Sequence, residues 1–415
     1  MRTPDHHPSR RRFLDATGAM VAFGLAAGCT ADSSASDSST SDSSTSDSAT
    51  SGSSKSLSGG PGSASSGAPG PAAAASPAPV PPTGAHQAGI TLPQPAQSNL
   101  LAVVADLTAS AEAGPLLAEL GTTVRALADG SDARLLGLPP GDLTVTIGVG
   151  PRLVRMAGRS LPGTTDLPRF SRERIAAQAR GGDLLIQVCA SDALVPPVVA
   201  TALLDQAGDR LRERWRQSAH RGPNIAVDKA LTAPRNLLGF IDGIVGPHTT
   251  AAQDRHLWLA GPAPVAGGTI AVVRRMELDL PRFAALSVAE QEAVFGRRRA
   301  TGDPLSGGTI TSDPSLGAKT PDGRYLIPAD AHVRRANANA VGAGLMLRRS
   351  YSTDSPAAGL LFISFQNDIR TFTSTLTHMD DSDALLGFTT TTASATFLIL
   401  PGFDSRRPLG SPLFP

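Results

Sequence analysis

Leu143, Val145, Ile147 and Val149 alternate with Thr144, Thr146 and Gly148, the two-residue period of a strand. That strand belongs to a series of elements the chain spells twice, and the repeat restricts the fold more than any other feature. In the first pass, Asn99 to Asp106 reads as a strand. Gly114 to Ala128 reads as a helix with Leu116, Leu120, Val124 and Leu127 on one face. The alternating strand follows, then Asp183 to Ala190 as a buried strand. Val199, Leu203, Ala207, Leu211 and Trp215 recur every four residues as a helical stripe, and Asn224 to Val227 closes the set. In the second pass, Thr269 to Met276 is a strand, and Ser287 with Glu290 forms a capping box opening a helix that runs through Arg297. Leu345 to Tyr351 and Gly359 to Phe365 are strands. Ile369, Phe372, Leu376 and Met379 mark a helix, and Ala395 to Leu400 is the last strand.

Each pass reads β-α-β-β-α-β, the order of the ferredoxin-like unit. The expected fold class is therefore α+β: two ferredoxin-like domains, residues 86–231 and 232–415, with antiparallel sheets backed by helices. Two long insertions, Thr232 to Gly267 and Arg298 to Gly344, belong to or border the second domain. Long loops on a compact scaffold are where function concentrates.

Ahead of these domains, residues 31–85 are Ser, Asp, Thr, Gly, Ala and Pro with almost no large apolar side chain. Such a segment cannot offset its own ordering entropy and reads as a tether. Residues 1–30 read as an export leader. Arg10 and Arg11 form a twin-arginine pair ahead of a short apolar stretch, Ala19 to Ala27. Leu25-Ala26-Ala27-Gly28-Cys29 resembles a lipobox, in which Cys29 carries the lipid; the alternative is an ordinary small-residue cleavage site. The twin-arginine route carries folded cargo, which points to a cofactor loaded before export.

The 415 residues leave roughly 330 for the folded part. A net charge of +1 argues against nucleic acid, which normally needs a concentrated basic face. Only two cysteines are present, Cys29 and Cys189, and Cys189 in an apolar run reads as an inert buried thiol. After the leader, no segment is long and apolar enough for a membrane-spanning helix.

No strong metal or nucleotide motif is present. Gly148-Val149-Gly150 is a weak echo of a dinucleotide loop, lacks the third glycine and is rejected. Three features remain. Asp242 lies between glycines in Gly239-Phe240-Ile241-Asp242-Gly243, either as a turn aspartate or as a functional carboxylate kept dry by Leu237, Leu238, Phe240, Ile241, Ile244 and Val245. His332 is either structural or a ligand. Arg348 and Arg349 end an apolar strand and point to opposite faces, so one is either buried for a purpose or held in a salt bridge.

Together and in order, these residues resemble one family. Its pattern runs through His86-Gln87-Ala88-Gly89-Ile90, Gly239 to Gly243, Gln291-Glu292, Gly296-Arg297, the His-x-Arg-x-Ala-Asn run at His332 to Asn337, and Leu347-Arg348-Arg349-Ser350-Tyr351. From about His86 to the C-terminus the chain resembles the dye-decolourising peroxidases, in their exported bacterial deferrochelatase/peroxidase form. One departure stands out: after Asn337, relatives carry Pro-Arg where this chain has Ala338-Asn339.

The resemblance implies a dimeric α+β barrel-type peroxidase fold and one non-covalent haem b per chain. It implies His332 as the proximal iron ligand, with Asp368 as the expected acceptor on its other nitrogen. It also implies Asp242 and Arg348 as the distal catalytic pair. Gly243, Ile244, Val245, Arg297, Arg334, Asn337, Ala338 and Asn339 are the further expected haem contacts. Arg334 or Arg297 would supply the charge for a haem carboxylate, and either Arg349 or Ser350 the small polar position beside Arg348. The implied activity is reduction of hydrogen peroxide with oxidation of small or bulky one-electron donors outside the cytoplasm. Electrons would have to pass through Trp215, Trp258, Tyr325 or Tyr351, the alternative being that all four are simple core or surface aromatics. Membrane contact is expected through Cys29 alone, and self-association into a homo-oligomer is left open. The rival reading is a haem- or iron-handling lipoprotein with the same pocket, and a third is a cofactor-free interaction module.

Overall fold

The computed structural model describes residues 77–109, 112–228 and 231–415. The leader, Cys29 and the tether up to residue 76 lie outside the described residues. The first half supplies β1 (Asn99–Leu107), α1 (Ala113–Ala128), β2 (Thr144–Val149), β3 (Leu184–Ala190), α2 (Val195–Ala207) and β4 (Leu211–His220). The second supplies β5 (Thr269–Leu278), α3 (Val288–Phe295), α4 (His332–Arg335), β6 (Leu347–Arg348), β7 (Tyr351–Thr353), β8 (Gly359–Gln366), α5 (Ile369–Ser382) and β9 (Thr389–Ile399).

The nine strands run β5-β9-β2-β3-β1-β4-β7-β8-β6, and β8 also pairs with β5, so the sheet closes into a barrel. Within the ring the first half contributes β2-β3-β1-β4, and the second contributes β9, β5, β8 and β7, each half in the strand order of a ferredoxin-like unit. β1, β2 and β3 are buried on both faces, whereas β4 leaves one face to solvent. Inward residues of both halves, among them Leu100, Leu185, Val273, Ile363 and Phe397, form one enclosed cluster. Leu101, Val103, Ile147 and Ile186 face outward and pack beneath α1 and α2 through Leu116, Leu120, Val199 and Leu203. This double burial explains why β1 reads as a nearly continuous apolar run.

Three expectations need correction. Trp215 is not on a helix. The chain leaves α2 at Gly208, with φ at 56°, and from Leu211 runs as β4. A four-residue spacing is a multiple of two, so Leu211 and Trp215 satisfied a helical stripe while belonging to a strand. Asn224 to Val227 therefore does not close the first set; Ile225–Ala226 instead pairs with Thr232–Ala233 in a separate two-stranded ribbon. Finally, the strand expected from Leu345 to Tyr351 is interrupted between Arg348 and Tyr351.

Candidate active site

His332 opens α4, a single turn inside the second insertion, and its Nδ1–H donates to Asp383 Oδ2 at 2.8 Å. The Asp383 side chain is 0% exposed, and its other oxygen accepts from the Leu385 N–H at 2.9 Å. An ionised carboxylate only accepts, so Nδ1 carries the proton and the lone pair lies on Nε2. The backbone holds the two segments in register: Ala384 N–H donates to Asp330 O at 2.8 Å. Asp383 replaces Asp368, the expected acceptor. Asp368 caps α5 and is committed to Arg370, which holds its carboxyl below the usual range.

Helix α3 explains how His332 is positioned from the other side. Its capping box at Ser287 and Glu290 forms as read, and it ends at Gly296 in the left-handed region, φ 82°. A Cβ there would lie 2.4 Å from Val333 Cγ1 and 3.2 Å from Ala331 Cβ, so only glycine lets the α3 terminus approach the start of α4. Phe295, the residue before it, presents an edge to the His332 ring at 6.1 Å and stacks on Phe240 at 3.7 Å.

Phe240 lies two residues before Asp242, so one aromatic cluster of Phe240, Phe283, Phe295 and Phe388 supports both the histidine and the aspartate loop. Within that loop Leu238 and Phe240 are buried, but Leu237 is 37% and Val245 48% exposed. The turn is therefore not the dry setting expected, and the Asp242 side chain is 33% exposed. Asp242 Oδ1 accepts from the Gly243 N–H at 2.7 Å and lies 3.9 Å from an Arg348 Nη. Oδ2 has no partner. Gly243 and Ile244 continue the loop, and Gly246 passes against the Met346 carbonyl, two residues from Arg348.

Arg348 pairs with Ser364 on β8, on the face opposite Leu347, which points into the barrel. Arg297 comes close enough to matter electrostatically: burial first, and then the Arg348 charge, lower its pKa from the ordinary arginine value. Arg297 Nη1 is held by the carbonyls of Gly302 (2.8 Å) and Ile310 (3.1 Å), and among the described residues it forms no ion pair, though Asp303 and Asp313 attract it from further away. Two neighbouring guanidiniums, of which Arg348 has a carboxylate at 3.9 Å, suit an anionic guest.

The other expected contacts are distributed differently. Arg334 is spent on the carbonyls of Pro328, Leu316 and Ile327 and lies over the Tyr325 ring at 4.7 Å. Asn337 caps the next turn through the Ala340 N–H, Ala338 is half-buried and Asn339 exposed. Arg349 turns into the barrel, whereas Ser350 remains at the surface of the strand break.

A family model described as Dyp-type peroxidase, N-terminal, matches residues 87–221, and its C-terminal counterpart matches 233–404. The chain belongs to the Dyp-type peroxidases. It is 34% identical over 371 residues to a dye-decolorizing peroxidase of Thermobifida fusca, covering 80% of this chain and 84% of the relative. It is 29% identical over 367 residues to a deferrochelatase of Escherichia coli, covering 80% and 86%. The crystal structure of a DyP-type peroxidase from Streptomyces coelicolor superimposes with a TM-score of 0.76 at 31% identity, covering 82% of this chain and 98% of that one. This Dyp-type peroxidase is a haem-dependent enzyme with non-covalent haem b as cofactor. The donor set fits that group: an imidazole whose Nδ1 is bonded to a buried carboxylate, leaving Nε2 for iron.

Asp383 is the functional residue the sequence reading missed, although a signal was present. Asp380, Asp381 and Asp383 crowd the C-terminal end of α5, where the helix dipole disfavours negative charge. Each has a compensating partner: Ser171 for Asp380, Arg335 for Asp381 and His332 for Asp383.

Proposed function

We propose that this peroxidase reduces hydrogen peroxide at a haem held between His332 on one side and Asp242 with Arg348 on the other, and oxidises aromatic, dye-like or other one-electron donors outside the cytoplasm. The observation that carries the reading is the His332–Asp383 pair, which leaves Nε2 as a basic donor toward iron. Bound haem b supplies the redox-active iron at which peroxide is reduced. Asp383 fixes the tautomer of His332 and raises its basicity. Asp242 Oδ1 is held by the Gly243 N–H, so Oδ2 takes the proton from one peroxide oxygen and returns it to the other. Arg348 stabilises the negative charge that develops as the O–O bond breaks. Arg297, beside it, would supply the charge for a haem carboxylate, in place of the arginine absent at Asn339. Loading His332→Ala and wild-type protein with haem and comparing retained cofactor and ferric spectra tests the assignment.

Export through Arg10 and Arg11, with Cys29 lipidated, puts the folded enzyme on a tether outside the cytoplasmic membrane. Fractionation of cells carrying Cys29→Ser tests this: released or unprocessed protein supports anchoring, and a membrane-bound mature form contradicts it.

The deferrochelatase relatives favour a second reading, in which haem or its iron is cargo. Transfer of haem to apo-myoglobin separates the two, because an enzyme retains its cofactor and a carrier releases it.

A further inference from the structure

Arg349 occupies a position that its neighbours reserve for apolar side chains. Leu347 and Tyr351 flank it along the strand, and both belong to the cluster enclosed by the barrel. Arg349 is 4% exposed. Its Nη groups donate to Ile90 O at 3.2 Å and to Gln97 Oε1 at 2.9 Å, and its buried Nε has no partner. Both acceptors are neutral. Among the described residues, no carboxylate forms an ion pair with this guanidinium.

Two further groups converge here. Arg221 lies with its guanidinium carbon 5.9 Å from the centroid of the Tyr351 ring. Its guanidinium donates to the Asn224 amide oxygen at 3.4 Å, lies close to the Tyr351 hydroxyl, and feels the like charge of Arg349. Tyr351 is fully buried, and its hydroxyl makes no well-formed hydrogen bond although Arg349, Arg221 and the Cys189 thiol all lie close enough to act on it. Beside the phenol lies the free Cys189 thiol, equally buried.

A buried charge is tolerated when it is paired and its donors are satisfied. Here two cations share one end of the barrel interior, and an Nε–H and a phenol O–H, both buried, are unspent. Water would satisfy the donors and leave the charge. We propose that the barrel interior holds a small monovalent anion of the halide class, chloride being the commonest, bound by Arg349 Nε, the Tyr351 hydroxyl and the Arg221 guanidinium. Leu100, Leu347 and Cys189 belong with Tyr351 to the enclosed apolar cluster, a setting that suits a weakly hydrated monatomic ion better than a carboxylate or phosphate needing more donors. The site is separate from the haem assignment and stands whether or not that assignment holds. Arg221 is attracted to Asp242, so the ion's charge lies within electrostatic reach of the distal aspartate.

Bromide is the probe. Crystals of the folded protein equilibrated in sodium bromide are expected to show one enclosed anomalous peak in contact with Arg349 and Tyr351. In solution at constant ionic strength, replacing gluconate by bromide is expected to raise the melting temperature by roughly 2–5 °C, as a ligand selective for the folded state does. Tyr351→Phe keeps the packing and removes one donor, so its bromide dependence should move to about 5–10-fold higher concentration. Arg349→Gln should abolish it. If Arg349→Gln does not fold, the wild-type anomalous map and the Tyr351→Phe titration decide. A well-ordered water at this position with no anomalous signal, or equal melting temperatures in bromide and gluconate, would overturn the proposal.

Discussion

His332 and Asp383 are 51 residues apart in the chain and 2.8 Å apart in the fold, joined by a hydrogen bond from Nδ1 to a carboxylate with no exposed surface. Two elements meet to make it: the single turn that starts at His332, and the end of the helix that closes at Ser382. The bond decides which imidazole nitrogen carries the lone pair, and with it whether this histidine can hold iron.

Asp383→Asn keeps the shape of the side chain and its acceptor for Leu385 while removing the negative charge. The imidazole becomes less basic, so the haem reduction potential should rise. Haem affinity or peroxide turnover should fall about 10–100-fold. Spectroelectrochemical titration beside haem-transfer kinetics checks both. An unchanged potential would mean that Asp383 only caps the following turn.

Arg348→Ala should slow the reaction with peroxide by roughly 10²–10³-fold with haem retained, because it removes a preorganised charge. Asp242→Ala should be milder than the about 10²–10⁴-fold expected for loss of a positioned base, since water can relay the proton. Stopped-flow measurement with excess peroxide distinguishes them. Wild-type rates in both variants would move the chemistry elsewhere.

Gly296→Ala tests how the histidine is held. The new methyl would enter at 2.4 Å from Val333 Cγ1 in a left-handed backbone conformation. A loss of about 1–3 kcal/mol in unfolding free energy is expected, together with weaker haem binding through displacement of His332, which lies between the contacted Ala331 and Val333. Haem titration against the purified variant reads the second effect separately from the first.

Alkaline pH should weaken the fold through the barrel interior. Burial pushes the Cys189 thiol up to about 11, above its unfolded value of about 8.5. A raised folded pKa means that its contribution is whole below about pH 8.5 and is lost as pH rises through about 11. The share is on the order of 3 kcal/mol, and Tyr351, raised by burial as well, acts in the same direction. Urea unfolding of wild type and Cys189→Ala at pH 8 and pH 10.5 should give a smaller alkaline loss in the variant. Equal losses would locate the sensitivity elsewhere.

The repeat of elements was legible because periods of two and four residues carry it, and β1, β2, β3, α1 and α5 lie within a few residues of where those periods put them. Trp215 shows the limit: an inward strand face and a helical stripe coincide at a four-residue spacing, and only the glycine break at Gly208 separates them. His332, Asp242 and Arg348 were legible as motif positions, but their support was not. Phe240 and Phe295 stack although they are far apart in sequence, and the sequence shows no period linking them. Arg334 was expected to serve the haem, yet three backbone carbonyls of the insertion claim it, and such irregular loops leave no periodic trace.

The most direct test of the account is the absorbance spectrum of His332→Ala after loading with haem under conditions that saturate the wild type. The account predicts loss of most bound haem and of the histidine-ligated ferric spectrum, with far-ultraviolet circular dichroism unchanged, because His332 lies in an insertion outside the barrel strands. Full haem occupancy with an unaltered ferric spectrum would contradict it.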